Sequence, residues 1–79
     1  MSENLTKYND AFCRTFLVTA EQLPDLQYQG IEAWDSVGHM TLMGVLEEAF
    51  DIMLDPDDVI GFSSYAKGME ILGKYGITF

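Results

Sequence analysis

Seventy-nine residues, 48% of them hydrophobic and 22% charged, make one domain over residues 1–79 and leave no room for a second core. Thirteen acidic residues face four basic ones, a formal net charge of −9, and no Lys or Arg lies between Thr15 and Ala66. Such a chain repels nucleic-acid phosphates and anionic membranes and attracts a basic protein surface, while a lone Cys13 excludes an internal disulfide and offers no Cys/His set for structural zinc.

In chain order, Leu5, Tyr8, Phe12 and Phe16 recur at spacings of three and four beside Ala11, the period of an amphipathic helix with its apolar stripe turned inward. Pro24 is incompatible with a helix interior, so this helix ends before it. Glu21 to Glu32 then reads as a long ordered loop, pinned by Leu23, Leu26, Tyr28 and Ile31 and hinged at Gly30.

The strongest helix is expected from about Ser36 to about Met53. At 100° per residue, Leu42, Met53, Leu46, His39, Phe50 and Met43 fall within roughly 240° to 340° of Ser36 and form the buried arc. Val37, Met40 and Gly44 lie outside that arc and make a flatter apolar patch near the helix start. Asp35 and Ser36 both suit that start, by capping and, for the acid, by complementing the helix dipole.

Asp55-Pro56-Asp57-Asp58 gives an Asx cap, Pro at the first helical position and acids in the first turn, so a short helix follows, limited by Gly61. Ser63-Ser64 caps a last helix with Tyr65, Met69, Leu72 and Ala66 inward, ended by Gly76, with Ile77 and Phe79 packing back. Gly68 and Gly73 each weaken it by about 1 kcal/mol relative to Ala. The expected fold is all-α: a four-helix bundle of three main helices and a short third one, with a long first loop.

Trp34-Asp35-Ser36-Val37-Gly38-His39-Met40 and the later Leu46-Glu47-Glu48-Ala49-Phe50-Asp51 carry a family resemblance. They resemble the acyl carrier protein family, in which an Asp-Ser-Leu motif opens the second helix and a Leu-Glu-Glu-x-Phe segment follows in the same register. Here Val replaces the Leu of the first motif, and Glu47 stands eleven residues after Ser36. The likeness runs on through Asp55-Pro56-Asp57-Asp58 and Ser63-Ser64, with the first helix matching by pattern only.

The resemblance implies an acyl or aminoacyl group held as a thioester on a 4'-phosphopantetheine arm attached covalently to Ser36. A phosphopantetheinyl transferase would install the arm, and acyl-loading and acyl-transferring enzymes with basic docking surfaces would be the partners. Asp35, Val37, Met40, Glu47, Glu48 and Asp51 would meet those partners, and Leu42, Met43, Leu46 and Phe50 would line the core or an acyl pocket. Gly38, Thr41 and Gly44 stand where fatty-acid-type carriers usually place acids, which points to a free-standing carrier of a specialised biosynthetic pathway rather than of general fatty acid elongation.

The residues support that chemistry independently. A phosphodiester on a helix-start serine meets free N–H groups and the positive end of the dipole. No triad surrounds Ser36: His39 falls in the apolar arc as a core or boundary histidine, and Cys13 is a small residue on the first helix rather than a nucleophile. The spacing of Asp51, Asp55, Asp57 and Asp58 does not fit an EF-hand, so no dedicated metal site is expected. With too few convergent polar groups for an enzyme, the alternative to a carrier is an unmodified acidic adaptor or inhibitor docking on a basic protein. The opening Met1-Ser2-Glu3-Asn4 lacks the pattern of a secretory signal and no apolar run reaches bilayer length, so a cytoplasmic, monomeric protein without membrane insertion is expected.

Overall fold

The computed structural model describes residues 2–79. Its elements are α1 (Glu3–Phe16), a 3-10 helix (Ala20–Asp25), α2 (Ser36–Phe50), α3 (Pro56–Gly61) and α4 (Tyr65–Gly73), and no strand forms among the described residues. The all-α expectation therefore holds. Among the described residues the sole sheet-like feature is an isolated bridge between Gln27 and Ser64, where the Tyr28 N–H donates to the Ser63 carbonyl (2.9 Å) and the Tyr65 N–H to that of Leu26 (3.0 Å). Those two bonds tie the middle of the first connection to the α3–α4 junction, and α4 packs on the 3-10 helix while α1 packs along α2.

α1 starts at Ser2, whose hydroxyl accepts the Leu5 N–H, and buries Tyr8, Ala11, Phe12 and Phe16. Leu5 is only half-buried. Pro24 lies inside the 3-10 helix, whose looser hydrogen bonding tolerates it. Its neighbour Leu23 and then Leu26 enter the core as expected, whereas Tyr28 is exposed and Ile31 half-buried. The expected hinge at Gly30 is corrected. The left-handed residue of this loop is Gln29 (φ 63°), whose N–H is held by the Trp34 carbonyl at 2.8 Å.

α2 ends at Phe50, earlier than the apolar period suggests, because Asp51 turns left-handed (φ 53°) and returns its N–H to the Glu47 carbonyl. Met53, expected in the buried arc, consequently points outward and is 79% exposed. The Leu54 that follows is buried in its place. At α3 the expected Asx cap is half right: Asp55 is the N-cap and Pro56 the first helical residue, but the Asp55 side chain caps nothing.

In α4 the Ser64 hydroxyl accepts the Lys67 N–H as expected. The helix stops at Gly73, and Gly76 serves in the turn beyond it. Ile71, Leu72 and Gly68 are its buried positions, Tyr65 and Met69 are half-buried, and Ala66 faces water, so the inward face is rotated from the expected one. The tail packs back: the Phe79 ring lies 5.1 Å from that of Tyr8, and the Asn4 side-chain amide donates to the Thr78 carbonyl at 3.0 Å.

The core is aromatic. Tyr8, Phe12, Trp34 and Phe62 are fully buried, and Trp34 stacks on Phe16 (5.1 Å between ring centroids) and meets Phe12 edge-on (5.5 Å). Gly68 is essential to this packing, because a Cβ there would collide with Phe62 Cζ and the Tyr8 hydroxyl. The Tyr8 hydroxyl donates to the Tyr65 carbonyl at 2.6 Å, and burial, reinforced by Tyr65, pushes its ionisation far up.

Candidate functional site

The site is built at the start of α2. The Asp35 carboxylate accepts the Gly38 N–H at 2.8 Å and the Asp35 carbonyl accepts that of His39, which fixes the first turn. Ser36 is the first residue inside the helix and is exposed. Its hydroxyl has no hydrogen-bond partner among the described residues, nor do the N–H groups of Ser36 and Val37, so an oxygen and two donors are left at the positive end of the helix.

Gly38 lets that turn sit where it does. A Cβ at Gly38 would overlap the Ala33 carbonyl and approach Phe16 Cε1 to 3.2 Å. The missing side chain of Gly38 is thus used internally, against the preceding loop and α1. Gly44 does face open space.

His39 secures the same turn from the inside. Its Nδ1 accepts the Trp34 indole N–H at 2.9 Å, which leaves Nε2 to donate to the Val59 carbonyl at 2.7 Å. Both nitrogens are engaged by a single neutral tautomer, with the Trp34 ring stacked at 6.2 Å and Tyr28 and Phe62 edge-on. His39 is the boundary histidine the periodicity indicates, and it ties the end of the first connection and α3 to α2.

Beside Ser36 a cavity of about 320 Å³ is lined by Tyr28, His39, Met40, Val59, Ile60 and Ser63. Met40, Val59 and Ile60 also border a second cavity of about 410 Å³ between α2 and α3, reaching Met43, Gly44 and Leu54. The first of these, a mainly apolar groove, borders Ser36 and shares the Met40, Val59 and Ile60 side chains with the second. Met40 (58%) and Ile60 (81%) line this groove and are strongly exposed, as is Val37 (74%), the residue after Ser36. Ile60, Val59 and Tyr28 had no functional signal in the sequence: α3 is six residues long, too short for a period to show which side chain it leaves outside.

The remaining expected site residues separate. Leu42 and Leu46 are fully buried in the core, and Met43 is buried where it borders the second cavity. Phe50 is half-buried against Phe79, with the Lys7 ammonium 5.9 Å from its ring centre. Glu47 is half-buried and its carboxylate accepts the Leu54 N–H at 2.9 Å, whereas Glu48 is exposed on the other side of α2. Glu48 lines a cleft of about 630 Å³ against α1, together with Lys7, Asp10 and Arg14. Asp51, at the far end of α2, stands about 22 Å along the helix axis from Ser36.

No family model, curated protein sequence or solved structure matches the chain. Among the described residues no helix is long and apolar enough to cross a membrane, and no three His, Cys, Asp or Glu side chains come together in a cluster able to hold a metal ion.

Proposed function

We propose that the chain carries an acyl or aminoacyl group as a thioester on a 4'-phosphopantetheine arm attached to Ser36, and hands it between the enzymes of a specialised biosynthetic pathway. The observation that carries this reading is the exposed, unbonded Ser36 hydroxyl at a helix start, bordered by an apolar groove and by exposed Val37, Met40 and Ile60.

The residues present fit such a group. The Ser36 hydroxyl is accessible to a transferase, and the free N–H groups of Ser36 and Val37 would face a phosphodiester on it. The bound arm would supply the thiol that this chain's own side chains do not provide at the site. Asp35 keeps the first turn in place, and Val37, Met40 and Ile60 offer apolar contact to a partner. The absence of Lys and Arg from Thr15 to Ala66 favours partners with basic surfaces. His39 serves as a structural tie, since both ring nitrogens are occupied away from the Ser36 hydroxyl.

Intact mass after incubation with coenzyme A and a broad-specificity phosphopantetheinyl transferase tests the reading. The parent is expected to gain one phosphopantetheine and Ser36→Ala none. A folded parent that gains nothing with several such transferases would overturn it.

A further inference from the structure

The chain has one histidine and one tryptophan, and the two are bonded to each other: the Trp34 indole N–H donates to His39 Nδ1 at 2.9 Å. An indole nitrogen can only donate, and a carbonyl can only accept. The Trp34 contact therefore requires a bare Nδ1, and the 2.7 Å contact of Nε2 with the Val59 carbonyl requires the proton on Nε2. This arrangement admits the neutral ring and excludes the imidazolium, whose second N–H would point at another N–H 2.9 Å away. Histidine is also the side chain that ordinarily changes charge between about pH 5 and about pH 8.

The proton has a way in, because His39 is half-buried and lines the groove that borders Ser36, together with Tyr28, Val59 and Ile60. Among the described residues no charged side chain lines that groove, and Tyr28, its ring edge-on at 5.2 Å, is the other titratable group there. Phe62 covers the imidazole from beyond α3 at 6.2 Å. The acids of the packed elements are bonded elsewhere or face water. The Asp35 carboxylate accepts the Gly38 N–H, Asp58 is held by Lys74 and Tyr75, and Asp57 is exposed.

What the indole bond secures is the end of the first connection. Trp34 is fully buried, its carbonyl accepts the Gln29 N–H at 2.8 Å, and its own N–H donates to the Ile31 carbonyl at 3.1 Å. The turn from Gln29 to Trp34 is thus tied to that one side chain, with Tyr28 of the groove wall just before it and Asp35 and Ser36 just after.

We propose that His39 is a proton-operated latch on the groove beside Ser36: a proton taken from solvent by Nδ1 displaces the Trp34 indole N–H and frees the 28–34 segment, while Nε2 keeps its bond to the Val59 carbonyl. α3 stays attached, and the groove loosens along its Tyr28 wall alone. The latch is a property of the fold and stands whether or not Ser36 is modified.

The test follows the isotope-labelled full chain by NMR from about pH 7.5 to about pH 5, a range in which ordinary carboxylates stay largely ionised. The imidazole Cε1–H and Trp34 indole N–H signals are expected to shift with one shared midpoint. Protection of the indole N–H and of the Gln29 and Trp34 amides, relative to intrinsic exchange at each pH, should fall about tenfold or more, with that of the Val59 amide unchanged. His39→Asn places a non-titrating acceptor where Nδ1 stands, so its indole signal should not move with pH. An imidazole that titrates while the indole signal and its protection stay constant overturns the latch, as does an imidazole that stays neutral throughout the range. Equal loss of protection at Val59 overturns the one-sided opening. A His39→Asn chain with the parent's pH response also overturns the latch, because another group would then drive the change. The two signals of the parent decide the matter even where the variant fails to fold.

Discussion

The Trp34 indole N–H donates to His39 Nδ1 at 2.9 Å, so the chain's lone tryptophan, fully buried, is held by a histidine that lines the groove beside Ser36. Truncating His39 to Ala strands a buried donor and frees the Val59 carbonyl on α3, which costs about 1–3 kcal/mol. Trp34→Phe removes the donor and also leaves a gap. The double variant should therefore lose less than the sum of the two single ones. A urea-unfolding double-mutant cycle followed by circular dichroism checks this, and strict additivity would rule out the coupling.

Two glycines of α4 are expected to respond to Ala with opposite signs. Gly73 faces open space, so Ala there should stabilise by up to about 1 kcal/mol through helix propensity. At Gly68 the same propensity gain competes with collisions against Phe62 and Tyr8, which lie on packed core elements and cannot yield cheaply. Overpacking of this kind costs about 1–3 kcal/mol, so Gly68→Ala should be destabilised on balance. Thermal unfolding of both variants decides it, and a Gly68→Ala chain more stable than the parent would refute the steric argument.

These contrasts show what the sequence could and could not disclose. The faces of α1 and the middle of α2 were legible because fourteen- and fifteen-residue helices repeat their apolar period several times. Asp35-Ser36 and Ser64 were legible as helix starts because capping is local chemistry. The end of α2 was not: Met53 continues the period, and only the left-handed turn at Asp51 removes it from the helix. Gly68 reads as a weak point because propensity is a property of the chain alone, whereas its use depends on Phe62 and Tyr8 arriving from elsewhere. At the candidate site Ser36, Val37 and Met40 were visible in one run of sequence. The groove wall that Ser36 and Met40 share with Tyr28, Val59 and Ile60 depends on how α3 docks, which no local pattern specifies.

Glu47 and Glu48, equivalent in sequence, should separate on substitution. The Glu47 carboxylate accepts the Leu54 N–H and so holds the turn between α2 and α3. Glu47→Ala is expected to cost about 1–2 kcal/mol of stability. Glu48 is exposed and bonds to nothing among the described residues, so Glu48→Ala should stay within about 0.5 kcal/mol of the parent. Chemical denaturation of both measures the difference. Equal losses would mean that the Leu54 contact contributes nothing.

The attachment of α3 should depend on pH through Asp58. Its carboxylate accepts the Lys74 ammonium at 2.5 Å and the Tyr75 hydroxyl at 2.6 Å, and these two bonds hold its ionisation below the ordinary carboxylate range. The hydrogen bond to Asp58 likewise holds the Lys74 ionisation above its usual value. With a lowered folded-state pKa, the stabilisation from Asp58 is complete above the unfolded carboxylate value of about 4 and is lost as pH falls through the folded value. With a raised folded-state pKa, that from Lys74 is complete below its unfolded value and is lost only as pH rises through the folded one. The stability difference between the parent and Asp58→Asn should thus be widest across neutral pH and shrink toward zero in acid. Urea midpoints of the two chains from about pH 7 to about pH 2 measure it. Protection of the Val59 and Ile60 amides, taken relative to their intrinsic exchange at each pH, should fall over the same acid range as α3 loosens with the loss of Asp58 charge. A difference that stays constant down to the lowest pH would show that the Asp58 contacts do not depend on its charge.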